Sequence, residues 1–112
     1  MIEITAKRNR NGLFALTATG HAGWGEHGGD IVCAAISTLM QALAVGLQDV
    51  LALEGVREDS DPGVPSISLV WSGGGERAEC IARTVCLSLQ GVAASYPEYV
   101  TVRELYEEDD IR

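Results

Sequence analysis

At residue 30 the apolar pattern of this chain changes its period, and that change sets what the chain can fold into. Before it, Ile2, Ile4 and Ala6 alternate with Glu3, Thr5 and Lys7, the two-residue rhythm of a strand with one buried face. After it, Ile36, Leu39, Met40, Leu43, Leu47 and Val50 recur at three- and four-residue spacing, the stripe of a helix lying on a core. Between the two stands Gly20-His21-Ala22-Gly23-Trp24-Gly25-Glu26-His27-Gly28-Gly29, with five glycines in ten residues. That composition favours neither helix nor strand and is costly to order, so a mobile loop is expected there.

The remaining elements follow from the same reading. Asn9-Arg10-Asn11-Gly12 is turn chemistry, and Leu13 to Thr19 forms a second strand, which makes a hairpin with the first. Asp30 is the expected N-cap of a helix running from Ile31 to about Val50. Leu51 to Val56 reads as a short strand and Arg57 to Pro65 as a loop, because it holds four charges, two prolines and a glycine. Ser66 to Ser72 alternates as a strand, and Gly73-Gly74-Gly75 turns into a second amphipathic helix over 76–95. Its stripe is Ile81, Val85, Leu89 and Val92; Pro97 stops it, and Val100 and Val102 begin a last strand. The order ββαββαβ predicts one α+β domain over residues 1–112, two-layered, with two helices on one face of a mixed or antiparallel sheet.

Composition narrows the function. Hydrophobic residues make up 46% of the 112, enough for a single core. The apolar segment from Ile31 to Leu53 is interrupted by Ser37, Gln41, Gly46, Gln48 and Asp49, so no membrane span is expected. The N-terminus carries no basic region followed by an apolar one, which points to the cytoplasm and reduced thiols. Sixteen acidic residues against eight basic ones give a net charge of −8, which repels phosphate backbones and disfavours nucleic acid as a direct partner. The same surface accepts a basic polypeptide. Six of the acids lie from Glu98 onward and read as a solvated tail.

Chemistry concentrates around Cys33. A thiolate is the nucleophilic form of cysteine, and a helix N-terminus favours it through its dipole and free N–H groups. With Asp30 as cap, Cys33 falls at the third helical position, with Gly25, Gly28 and Gly29 leaving its approach uncrowded. Those backbone N–H groups are also candidates for an oxyanion site. His21, where the second strand ends, is the candidate base, and a ten-residue loop can return the chain to bring it to Cys33. His27 is the alternative base, in mid-loop where nothing would hold its ring. The bland reading of Cys33 is a small buried residue near a helix start. Asp30 reads first as a cap, and Ser37 shares the face of Cys33 four residues on. Cys80 and Cys86, in the second helix, read as packing. A metal site built from His21, His27 and Cys33 would need Glu26 or Asp30 as a fourth ligand and matches no zinc spacing. Gly73-Gly74-Gly75 lacks the Lys-Ser/Thr ending of a phosphate loop, so a tight turn is its expected role, and no cofactor is implied.

Gly20-His21-Ala22, the glycines at 28 and 29, and Asp30-Ile31-Val32-Cys33-Ala34-Ala35-Ile36-Ser37 together resemble the ribosomal-processing cysteine protease family of bacteria (Prp). The resemblance extends over the whole chain, with no departure at the motif positions. It implies a dyad of Cys33 and His21, supported by Asp30 and Ser37, with Gly23, Gly25, Gly28 and Gly29 in a flexible loop that orders over substrate. It further implies a homodimer, and an endopeptidase that removes the N-terminal extension of a large-subunit ribosomal protein after a pair of aromatic residues, for ribosome assembly. Trp24 and Met40 are the apolar residues that would receive those rings. The contrasting hypothesis is a non-catalytic dimeric module that binds a ribosomal protein during assembly without cutting it; there Cys33 is packing.

Overall fold

The computed structural model describes residues 1–20, 29–61 and 64–107. Strands β1 (Ile2–Asn9) and β2 (Gly12–Gly20) form the expected hairpin. Helix α1 (Gly29–Val45) continues into a π-helical turn, Gly46–Val50. Strands β3 (Arg57–Asp61) and β4 (Val64–Val70), helix α2 (Gly75–Ser95) and strand β5 (Val100–Tyr106) complete the chain. The five strands form one sheet in the order β3-β4-β2-β1-β5, in which only the β1–β5 pairing is parallel. This is the mixed sheet of an α+β fold.

Both helices are crossovers between strands that run the same way: α1 joins β2 to β3, and α2 joins β4 to β5. Such connections are right-handed almost without exception. The second crossover starts from a strand of opposite direction and travels the opposite way across the sheet. Reversing both leaves the handedness rule pointing to the same face, so the two helices share one layer. They touch there: a Cβ on Gly46 would come within 2.9 Å of the Ile81 side chain, so glycine permits the close approach.

The core between layers holds Ile2, Ile4, Ala6, Leu16 and Leu69 from the sheet, Val32, Ile36, Met40, Leu43 and Leu47 from α1 and its extension, and Ala82, Val85 and Leu89 from α2. The helical run Ile31–Val50 has a mean hydropathy of 1.8 and is, by length and composition, apolar enough to cross a membrane. The interruptions read from the sequence therefore do not lower its hydropathy below that level. In the fold one stripe of this run is buried on the sheet.

Two boundaries differ from the sequence reading. Leu51 to Val56 forms no strand, and Arg57–Asp61, expected to be loop, is β3. The reason is position: β3 is an edge strand paired only with β4, so backbone hydrogen bonds rather than an apolar face define it. Its charges, Arg57, Glu58 and Asp59, also discourage pairing with another sheet edge. The C-terminal acids are not all simply solvated either. Glu104 lies 3.3 Å from Arg8 and Glu107 lies 3.5 Å from Lys7, at exposed sites where such pairs add little stability. Glu108, Asp109 and Asp110 lie outside the described residues.

Where the π-helical turn ends, Ala52 adopts φ +55°, the one positive φ at a non-glycine among the described residues. The left-handed conformation crowds Cβ against the carbonyl that follows. Ala52→Gly is expected to raise unfolding stability by about 1 kcal/mol, reduced somewhat by the greater freedom of glycine in the unfolded chain, as measured by urea titration.

Candidate active site

The chain leaves the sheet at a fixed point. Gly20, the last residue of β2, has φ +96°, and a Cβ there would run into the Met1 carbonyl oxygen, so only glycine fits. His21 follows directly. It lies outside the described residues, as do Gly23, Trp24, Gly25, Glu26, His27 and Gly28. The described chain resumes at Gly29, the first residue of α1.

Because α1 starts at Gly29, Asp30 is its second residue rather than the cap in front of it, and Cys33 is its fifth rather than its third. The helix begins earlier than the capping signal at Asp30 indicates. Cys33 is half-buried and packs on the edge of the core. Its neighbours set this position: Val32 and Ile36 are buried, whereas Ile31 is 64% exposed. The sulfur thus stands where the core meets solvent. Ser37, one turn further along, is also half-buried and on the same side of the helix. Met40 continues that side but is only 1% exposed, so it belongs to the core and does not receive a substrate ring.

The other two cysteines occupy different environments. Cys86 is buried in α2, as expected for packing. Gln90 Nε2 lies 3.9 Å from its Sγ and also donates to Glu104 Oε2 at 3.2 Å. Burial pushes the Cys86 thiol up, the nearby Glu104 carboxylate pushes it further, Arg8 opposes them, and Glu79 adds to the rise. A thiol held protonated is a poor nucleophile. Cys80 is exposed on α2, so the packing reading fails for it. Among the described residues no three His, Cys, Asp or Glu side chains converge as a metal site. The His21–His27–Cys33 set with Glu26 or Asp30 rests on positions outside them. Gly73, Gly74 and Gly75 form the tight strand-to-helix turn, with φ of 87°, 87° and 58°.

The mixed sheet with its two helices and the sequence that forms it have relatives of known class. Residues 1–101 match the model of the cysteine protease Prp family, so the chain belongs to that family and is a cysteine protease. A ribosomal processing cysteine protease Prp of Mycoplasma pneumoniae is 29% identical over 104 residues, 93% of this chain and 95% of its own. SMU.848 from Streptococcus mutans superposes with a TM-score of 0.81 at 30% identity, covering 96% of each chain. The essential ribosomal processing protease Prp of S. aureus, solved with a covalently linked product peptide, gives a TM-score of 0.74 at 25% identity, covering 94% of this chain and 100% of that one. Membership of a protease family favours the enzyme over the non-catalytic module.

The raised Cys86 thiol links to stability. Folded protein holds this proton more tightly than the unfolded chain, so the contribution is complete below about pH 8.5 and is lost as pH rises beyond it. The melting temperature of the native protein should therefore fall more steeply from about pH 8.5 to 10 than that of Cys86→Ala, by scanning calorimetry.

Proposed function

We propose that the chain is an endopeptidase whose nucleophile is Cys33 and whose general base is His21, and that it removes the N-terminal extension of a large-subunit ribosomal protein. The observation that carries this reading is the placement of Cys33. It is the half-exposed cysteine at the start of α1, while Cys86 is buried and Cys80 lies on the other helix. His21 follows Gly20, the last residue of β2, whose backbone admits no side chain.

In the first step His21 takes the thiol proton and the sulfur attacks the carbonyl carbon of the scissile bond. The oxyanion is held by backbone N–H groups at the start of α1. As the C–N bond breaks, the imidazolium returns its proton to the leaving amine, and a thioester remains on Cys33. Water, deprotonated by His21, attacks the thioester; the acid product leaves and the thiol is restored. The covalently linked product peptide of the S. aureus relative is the kind of species this route forms. The helix dipole acts mainly in the first turn. Cys33, as fifth residue, stands at its border, so the imidazole has the larger part in activation. Asp30 and Ser37 are supporting residues on either side of the nucleophile, and Gly23, Gly25, Gly28 and Gly29 leave the substrate's path free of side chains.

The net charge of −8 suits a basic ribosomal substrate in the cytoplasm. A homodimer is also part of this proposal. From Ile31 to Gln48 there is no charged residue, and the outward side of α1 shows Ile31, Ala34, Thr38, Ala42 and Val45. In so acidic a protein a neutral face is where two copies can meet without repulsion. Light scattering on the purified chain is expected to give twice the monomer mass, and Thr38→Glu to give the monomer.

The decisive measurement mixes the protein with a ribosomal precursor that carries its extension and weighs the products by mass spectrometry. Cys33→Ala and His21→Ala should each lower turnover about a thousandfold or more with an unchanged circular dichroism spectrum. Turnover near the native rate in either variant excludes the dyad.

A further inference from the structure

We propose that the outer edge of β5 is a docking site for an extended, basic polypeptide, which joins the sheet as a further strand. β5 closes one side of the sheet and pairs only with β1, in a register that runs unbroken from Ile2 opposite Val100 to Arg8 opposite Tyr106. The ladder is fixed at both ends. The Ile2 N–H donates to the Tyr99 carbonyl at 2.7 Å, and the Glu107 N–H donates to the Arg8 carbonyl at 2.8 Å. Successive residues of a strand turn their N–H and C=O groups to opposite sides. Thr101, Arg103 and Leu105 therefore turn theirs toward β1, and Val102, Glu104 and Tyr106 turn theirs outward. Among the described residues these outward groups have no hydrogen-bond partner.

The opposite edge of the sheet is blunted and this one is not. β3 holds four charges in five residues and a register shift between Ser60 and Asp61, both of which discourage a further strand. β5 has no proline, no bulge and two charges, Arg103 and Glu104. The Glu104 carboxylate is turned back onto the protein, 3.3 Å from Arg8 and 3.2 Å from Gln90. On the helix side, α2 points Glu79, Arg83 and Gln90 away from α1, half a turn round from Ile81, so this flank overhangs β5. A hollow of about 430 Å³ runs along it among Glu79, Cys80, Arg83 and Leu87, and Leu87 is 57% exposed. Every second side chain of an added strand would face that hollow.

The edge and its charge select the occupant. A row of outward N–H and C=O groups is satisfied by an extended main chain, the mode of recognition in which a peptide adds to a sheet. From residue 98 onward six acids stand against Arg103 and Arg112, and only Glu104 and Glu107 are offset, by Arg8 and Lys7. Two copies paired through β5 would bring these acids together, whereas a chain rich in lysine or arginine is drawn in. Val100 stands beside Ile2, and Ile2 beside Gly20, the residue before His21. A strand added to β5 therefore ends about 14 Å, three strand spacings, from Gly20. One polypeptide can thus lie on the edge and continue toward the proposed dyad; this last link alone rests on the function proposed above.

Amide hydrogen exchange of the full chain, read by NMR, tests the edge. In the free protein Val102, Glu104 and Tyr106 should exchange fast and Thr101, Arg103 and Leu105 slowly. A short capped peptide of alternating lysine and valine, at saturation, is expected to slow the three fast amides at least about tenfold. A glutamate–valine peptide, with the wrong charge, and a lysine–proline peptide, with the right charge but half its N–H groups missing, should not. Glu104→Pro removes one outward N–H and keeps every bond to β1, and should weaken the lysine–valine peptide about fivefold. If that variant does not fold, Tyr106→Pro at the strand end serves in its place. Slowing without the alternation, equal slowing by either control peptide, or unchanged affinity in the proline variant overturns the proposal. The alternating pattern without cleavage of a ribosomal precursor keeps the edge and removes the function proposed above; cleavage without the pattern does the reverse.

Discussion

The apolar contact between α1 and the sheet positions everything else of consequence. Val32, Ile36, Met40, Leu43 and Leu47 meet Ile4, Leu16 and Leu69 in one continuous core. Each such side chain contributes about 1.5–3 kcal/mol on burial, so a shift of α1 by even one residue along the sheet forfeits several of these contacts together. Cys33 takes its half-exposed position from that constraint. It lies between buried Val32 and buried Ile36, and the rotation of α1 that satisfies those two leaves its sulfur at the rim.

A second constraint lies at the other end of the helices. The glycine at 46 lets α1 approach α2 at Ile81, and Gly74 brings the start of α2 within 3.1 Å of Leu53, measured from where a Cβ would stand. The π-helical turn and the left-handed Ala52 fall in this same stretch. The chain thus accepts an unfavourable backbone conformation where the first crossover turns from α1 back toward β3 against the start of α2. Cys33 stands near the opposite end of α1.

The pairing of Arg8 with Glu79 and Glu104, and of Gln90 with Glu104, gives Cys86 a setting that differs in kind from that of Cys33. One thiol sits under carboxylates and apolar side chains, where its charged form is disfavoured. The other is half-buried near the start of α1. The two cysteines therefore occupy different environments on facing helices.

Much of this was legible in the sequence. Alternation in Ile2–Ala6 and the stripe Ile36–Leu47 depend on local periodicity, which survives without knowledge of the partner, and so the hairpin, both helices and the layer arrangement could be read directly. Cys33 could be placed near the start of a helix for the same reason, although the helix begins earlier than the capping signal at Asp30 indicates. Three things were decided only by tertiary structure. β3 exists because β4 offers it hydrogen bonds at an edge, where no apolar face marks the sequence. Val50, the last member of the expected stripe, and Cys80 are both exposed because helix rotation, set by the whole sheet, decides which side of a stripe is covered. The Glu79–Leu13 bond spans 66 positions. Contacts of that separation leave no periodic trace, because they are fixed by how the layers close and not by any residue's near neighbours.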